Sequence, residues 1–308
     1  DLFVGRDPLA VARHVRTLET ITFHGGRYWP LEAALWDILG QVTGQPVSVL
    51  FGGSASSLPA YASTGEFVSP AERAERATAV REMGFRALKI RIGADRLAEG
   101  IEAVAATRRA VGDSMAILVD LNQGWRMPGD IAPALDVAAV RSVAERLREL
   151  DVLWLEEPLP SADVAGHRSL RMQTGIRVAG GEMVRTFAEL VAALDGDAYD
   201  VLQPDVVLAV GMLRARTIAE LALARNHWFT PHTWTNGIGV LANLQVAAGV
   251  GGGPFIEYPF DPPGWTPDRR DFMLAAPVCV DADGMLRVPD RPGLGAIVDE
   301  QAVRRYAA

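Results

Sequence analysis

Residues 152–182 read VLWLEEPLPSADVAGHRSLRMQTGIRVAGGE: an apolar run ending in Glu156 and Glu157, a helical stretch, then a second apolar run ending in Glu182. The same unit recurs along most of the chain. Short apolar or β-branched runs that end in a polar residue occupy 60–64, 87–92, 117–122, 152–157, 178–182, 200–205, 228–232 and 255–258, with helical stretches between them. Strand and helix repeated in this way imply parallel strands joined by helical crossovers. Eight of them predict an α/β fold, a closed (β/α)8 barrel of the TIM type. The rival is an open doubly wound sheet, but no G-x-G-x-x-G follows the first run, and Gly251-Gly252-Gly253 reads as a turn.

Around this core the texture differs. Residues 1–58 read as helical, with segments at 8–20 and 31–43; the second carries Leu31, Ala34, Leu35, Ile38, Leu39 and Val42 at helical spacing. Gly25-Gly26 and Gly52-Gly53 punctuate them. Residues 59–260 form the predicted barrel, and 261–308, rich in proline and glycine, return to the N-terminal helices. Inside the barrel, Ser69-Pro70-Ala71-Glu72 predicts a helix start, with an N-cap serine, proline at the first helical position and a capping-box glutamate.

Composition narrows the function. With 308 residues, 49% hydrophobic and 22% charged, the chain has material for one large core. A net charge of −8 argues against a nucleic-acid partner, whose footprint is basic. The single cysteine, Cys279, fits a reducing compartment. No apolar run approaches the roughly 18–20 residues of a membrane helix, and no basic segment precedes an apolar one, so a cytoplasmic enzyme is expected. Asp1 in place of methionine suggests a trimmed chain. Of the 30 basic residues a single one, Lys89, is lysine and the rest are arginine. Lysine is a compact charge whose pKa responds to its surroundings, so Lys89 marks a place where arginine could not serve.

The ends of barrel strands converge on one face, where catalysis is found. The polar residues there are Lys89 and Arg91, Asp120 and Asn122, Glu156, Glu182, Asp205, His232 and Glu257, with successive strands separated by 23 to 36 residues. Asp120, Glu156 and Glu182 come from three adjacent strands, so their carboxylates can meet. Crowded carboxylates repel, and a hard divalent cation with oxygen ligands, Mg²⁺, resolves the repulsion. Glu157 is the weaker alternative to Glu156.

Lys89-Ile90-Arg91, Val119-Asp120-Leu121-Asn122, Trp154-Leu155-Glu156-Glu157-Pro158, Gly181-Glu182, Gln203-Pro204-Asp205 and Pro231-His232-Thr233-Trp234 stand in an order and spacing that resemble the enolase superfamily, mandelate racemase subgroup. The resemblance runs from about Asp7 to Gly295. It implies Mg²⁺ on Asp120, Glu156 and Glu182, a dyad of Asp205 and His232, and Glu257 as the acid that hydrogen-bonds the substrate carboxylate. It also implies a capping domain, of which this chain holds the helical part without the β-meander, and assembly into dimers or octamers. One departure is Arg91, which stands where the subgroup commonly has the second lysine of a K-x-K pair.

The expected chemistry is removal of the α-proton of a small carboxylate through an enediolate, for which the superfamily is itself a standing example of a lysine or histidine base working with magnesium. His232 is the natural acid or base near neutral pH, with Asp205 fixing its tautomer. Racemisation needs a second base. Deprotonating an unperturbed arginine at pH 7 costs roughly 7 kcal/mol, against roughly 5 for lysine, so Arg91 reads as an electrostatic or hydrogen-bonding group, and Lys89 either faces the substrate carboxylate or acts as the base. Dehydration of an acid sugar, aldonate or aldarate, to a 2-keto-3-deoxy acid is the first reading. A racemase or epimerase of an α-substituted carboxylate is the alternative, and a non-catalytic barrel module a third. Asn122 and Trp234 are expected to contact substrate, whereas Trp125 and Trp265 read as ordinary packing.

Overall fold

The computed structural model describes residues 2–127 and 129–306; Asp1, on which the reading of a trimmed chain rests, lies outside them. Each of the eight expected runs contains a strand: β1 (Ser57–Ser63), β2 (Ala87–Arg91), β3 (Ala116–Asp120), β4 (Val152–Glu156), β5 (Val178–Gly180), β6 (Val201–Leu202), β7 (Trp228–Phe229) and β8 (Ile256–Pro259). They form one parallel sheet in the order β7-β6-β5-β4-β3-β2-β1-β8. Because β1 pairs with both β2 and β8, the sheet curls until its first and last strands are neighbours, in the manner of a TIM-type α/β fold. At the remaining seam, the Phe229 N–H donates to Gly252 O (3.4 Å) and Thr230 Oγ1 to Phe255 O (3.2 Å).

The last strands before that seam are shorter than expected. Their ladders do not stop, but continue on one side only: Gln203 N–H donates to Gly180 O, Thr230 N–H to Leu202 O and His232 N–H to Gln203 O. Glu182, Asp205 and His232 therefore sit two or three residues beyond their strands, on backbone that is still tied to a neighbour.

Among the described residues, twelve α-helices accompany the strands. Before the sheet come α1 (Val11–His24), α2 (Trp29–Thr43) and α3 (Val47–Leu50). Between strands lie α4 (Pro70–Glu82), α5 (Leu97–Val111), α6 (Val137–Glu149), α7 (Val164–Thr174), α8 (Phe187–Asp195), α9 (Gly211–Leu223) and α10 (Gly237–Val250), and after them α11 (Pro267–Arg270) and α12 (Glu300–Tyr306). None is long and apolar enough to cross a membrane. The first expected helix starts three residues late, since the Asp7 carboxylate takes the Leu9 N–H (2.9 Å) and bends the chain before Val11. The second starts two residues early because Pro30, which lacks an N–H, is at home in a first turn. At α4, Ser69 caps Glu72 N–H as expected (3.3 Å), but the Glu72 carboxylate turns to Arg76 (2.6 Å) instead of closing a capping box.

The C-terminal segment does return to the N-terminal region: the Leu294 N–H donates to Asp37 of α2 (2.8 Å) and the Val47 N–H to Gly293 O (2.9 Å). It also adds a strand, β9 (Met285–Arg287), antiparallel to the first residues of β1 through Leu58 and Leu286.

Inside the curl, Tyr61, Ala87, Leu118, Trp154, Ala179 and Val201 form a buried layer of their own. Tyr61 and Trp154 meet edge to face, with centroids 5.8 Å apart, and the small side chains of Ala87 and Ala179 leave room for them. Side chains two positions apart on a strand point the same way, so the residues directly above this floor are Ser63, Lys89, Asp120, Glu156 and Gln203.

One buried acid fastens the N-terminal helices to the sheet's outer layer. Glu32 of α2 accepts the Leu213 N–H (2.7 Å) and the Trp36 Nε1–H (3.1 Å), supplying to α9 the cap that its own flanking Val210 cannot. Gly211, with φ +81°, is required there, because a Cβ would lie 1.9 Å from Glu32 Oε2. Burial pushes the Glu32 carboxyl up to about 7 against the pull of these hydrogen bonds. The folded chain thus holds this proton more tightly than the unfolded chain, and the associated stability is full below the ordinary value of 4.5 and lost as pH rises through 7. The loss is on the order of 3 kcal/mol. Glu32→Gln keeps the acceptor oxygen and does not titrate. Between pH 4.5 and 8, chemical denaturation should show wild type losing about that much relative to E32Q; parallel pH curves would refute the assignment.

Candidate active site

Lys89 is the centre of the residues above the floor. Its Nζ lies 2.5 Å from Glu156 Oε1, 2.7 Å from Glu257 Oε1 and 3.4 Å from Asp120 Oδ2, and all four side chains are buried. Burial alone lowers a lysine pKa, but Glu156 and Glu257 outweigh it and hold Lys89 well above its ordinary value. Lys89 is thus held in its charged form by the carboxylates around it. Glu257 has both oxygens engaged: Oε1 by Ser63 Oγ (2.6 Å) and Lys89, Oε2 by the Thr233 N–H (2.6 Å). Burial raises its carboxyl, and Lys89 and His232 bring it below the usual range. Its anchoring of the backbone beside His232 is as direct as its contact with Lys89.

Asp120, Glu156 and Glu182 each place an oxygen within 4.8 Å of the others, and all three are buried. Their other contacts orient them. Asn122 donates to Asp120 through its backbone N–H (2.8 Å) and Nδ2 (3.1 Å). Gln203 Nε2 (2.9 Å) and Trp154 Nε1 (3.3 Å) hold Glu156 Oε2, and Trp125 Nε1 holds Glu182 Oε1 (2.7 Å). Glu182 Oε2 is buried with no hydrogen-bond partner among the described residues. Burial and the neighbouring Glu156 push Asp120 up to about 8, and burial raises Glu182 as well. An orphaned oxygen in an all-carboxylate cluster of raised pKa fits a hard divalent cation. Glu157 does not join the cluster: it leaves β4 at φ +42° with its carboxyl packed against Gly124.

Across from Lys89, His232 Nδ1 lies 3.0 Å from Asp205 Oδ2, and Nε2 faces Glu182 Oε2 at 3.6 Å. Asp205 Oδ1 is held by the N–H groups of Val207 (2.8 Å) and Leu208 (3.2 Å), which leaves Oδ2 to fix the imidazole. With Nδ1–H directed at Asp205, Nε2 is the nitrogen free to exchange a proton. Burial would lower the His232 pKa, but Glu182, Glu257 and the Asp205 bond push it up to about 10. Glu182 is the largest of the charges that raise it, so neutralising Glu182 returns the imidazole toward a range where it can accept a proton.

These groups share a cavity of about 210 Å³, lined also by Arg91, Asn122, Trp125 and Trp234. Two larger cavities, about 380 Å³ beside α1 and α8 and about 550 Å³ beside α2 and α10, are lined by none of the clustered acids. Arg91 stacks on Phe67, its guanidinium carbon 5.5 Å from the ring centroid. Trp234 packs on Trp265 (4.8 Å between centroids), whereas Trp125 does more than pack, since its indole N–H orients Glu182.

Three residues at the site escaped the sequence reading. Ser63 and Gln203 were within reach of it, standing two positions beyond floor residues of β1 and β6. Arg27, in the α1–α2 connection, had no local signal. Its guanidinium binds Leu208 O (2.5 Å) and Met183 O (3.2 Å), tying together the turns that follow Asp205 and Glu182.

L-talarate/galactarate dehydratase of Salmonella typhimurium is 28% identical over 277 residues, 89% of this chain and 64% of that protein. D-galactarolactone cycloisomerase of Agrobacterium fabrum is 31% identical over 291 residues, 90% of this chain and 72% of that protein. The chain thus spans 64% and 72% of the lengths of these relatives. Among solved structures, a racemase from Streptomyces coelicolor with bound magnesium superposes with a TM-score of 0.83 at 26% identity, covering 98% of this chain and 79% of that one. The sequence profile of the family described as enolase C-terminal domain-like matches residues 71–302, most of the chain, and with its buried acids gathered at the ends of a curled parallel sheet this protein belongs to the enolase superfamily.

Proposed function

We propose that this protein dehydrates an acid sugar to a 2-keto-3-deoxy acid with the help of Mg²⁺, by the histidine-based chemistry of the mandelate racemase subgroup. The observation that carries the reading is the pairing of unlike groups in one cavity. A histidine oriented by Asp205 and a lysine bound to two carboxylates line the same pocket as the acid cluster. Asp120, Glu156 and Glu182 would hold Mg²⁺, which when bound would supply positive charge to a substrate carboxylate.

Each further role falls to a residue of this chain. Lys89 adds positive charge, held in place by Glu257, whose carboxylate in turn accepts from Ser63 Oγ. His232 Nε2 takes the α-proton, and the electron pair of the broken C–H bond moves toward the carboxylate. The β-carbon–oxygen bond then breaks, the departing hydroxide takes the proton that His232 carries, and water leaves. The resulting enol tautomerises to the keto acid. Asp205 keeps Nε2 pointed at the substrate through both proton transfers.

Racemisation would need a second base facing His232. Lys89 is engaged by Glu156 and Glu257, and Arg91 gives up a proton far less readily than a lysine, which favours dehydration. The relative from Salmonella typhimurium, named a dehydratase, supports the same choice. We take residues 1–58 as the helical part of a capping domain, 59–260 as the catalytic unit and 261–308 as the segment that returns to the cap. We also place the protein in the cytoplasm as a homo-oligomer.

Two outcomes are expected. Titration with Mg²⁺ should raise the Tm of the wild type, and Glu182→Gln should abolish most of that rise; equal rises in both proteins would remove Glu182 from the metal centre. Incubation of the wild type with a panel of sugar acids and Mg²⁺ should yield 2-keto-3-deoxy acid from at least one. His232→Gln should slow that reaction on the order of 10³-fold. Deuterium entering the α-carbon from solvent without loss of water would point instead to racemisation.

A further inference from the structure

Lys89 and Arg91 lie on the same face of β2, two residues apart, and the sheet register assigns them different depths. Lys89 pairs with Leu118, whereas Arg91, one inward step farther along the strand, pairs with Asp120. Arg91 therefore starts about 7 Å nearer the mouth of the cavity than Lys89, at ~3.3 Å per strand residue. Lys89 reaches up from below and is fully occupied by Glu156 and Glu257. Arg91 starts beside the acid cluster and extends outward, and its guanidinium rests on Phe67 in the loop between β1 and α4.

The arginines at partly buried positions elsewhere in this protein mostly have an acid to bind. Arg73 and Arg76 face Asp261, Arg171 binds Asp200, Arg214 binds Glu19 and Arg270 binds Asp271. Arg91 has no hydrogen bond and no carboxylate within 4.0 Å among the described residues, although it lines the same cavity as Lys89, Asn122 and His232. A half-buried planar cation that stacks on an aromatic face keeps its N–H edges free for a planar anion. Arg91 presents those edges farther along the strand than Lys89 and beside Phe67, where the other end of a small molecule held at the buried cations would reach.

We propose that Arg91 binds the distal carboxylate of the substrate, which makes the substrate class the dicarboxylic sugar acids (aldarates) in preference to the monocarboxylic aldonates. This rests on the dehydratase reading above. Arginine suits the task where lysine would not, since its fork meets both carboxylate oxygens at once.

The test compares aldarates and aldonates of matching configuration with the Mg²⁺-loaded protein. Wild type should favour the diacids in kcat/KM, and Arg91→Gln should reduce the ratio of diacid to monoacid kcat/KM by about 10- to 100-fold. The effect should appear in KM more than in kcat, and Arg91→Lys should restore part of the ratio. Calorimetric titration with an inert dicarboxylate and its monocarboxylate counterpart should show the same loss of preference in R91Q, independently of turnover. An unchanged ratio in R91Q, or a wild type that turns over aldonates alone, overturns the assignment of Arg91 and leaves the dehydratase reading standing. If wild type with Mg²⁺ forms a keto acid from no sugar acid, diacid or monoacid, the dehydratase reading falls and the Arg91 assignment falls with it.

Discussion

An ammonium group sealed among carboxylates is the contact on which the rest of the site depends. Lys89 joins β2 to Glu156 at the end of β4 and to Glu257 on β8, and it lies within reach of Asp120 on β3. Removing it would leave several acids buried in a low-dielectric interior with no fixed counter-charge, a situation that costs several kcal/mol per uncompensated ion. The same contact accounts for the one lysine in a chain otherwise stocked with arginine. Three carboxylates converge on a single nitrogen, and a flat, forked guanidinium could not present its donors to all of them from that depth.

That arrangement follows from the pleat. A strand sends every second side chain inward, so a floor of Tyr61, Ala87, Leu118 and Trp154 determines that Ser63, Lys89, Asp120 and Glu156 stand above it. The floor is apolar and tightly filled, and the layer above is polar throughout. The boundary between them runs through a single strand step. Packing below thus fixes geometry above, and Trp154 takes part in both, closing on Tyr61 with its ring and on Glu156 with its indole N–H.

Much of this was legible in the chain. Strands buried on both faces read as continuous apolar runs, which is why all eight could be placed, and polar residues that end such runs have nowhere to go but the common face. Strand lengths were less legible, because a ladder that persists on one side only leaves no mark on composition. Trp125 was read as packing, since the Glu182 it orients lies 57 residues away. Arg27 and Glu32 were invisible for the same reason: their partners, 156 to 181 residues along the chain, are backbone groups that any residue type supplies. Periodicity reports which face a side chain takes, and says nothing of the distant carbonyl or N–H that it will meet.

The pairing of β9 with the start of β1 has a consequence for biosynthesis. Ser57, Leu58 and Pro59 leave the ribosome well ahead of their hydrogen-bonding partners at 285–287, which are made more than two hundred residues later. The other edge of β1 also waits, for β8. A nascent chain can assemble the middle of its sheet as it emerges, but β1 stays half-partnered until residues 285–287 have been made.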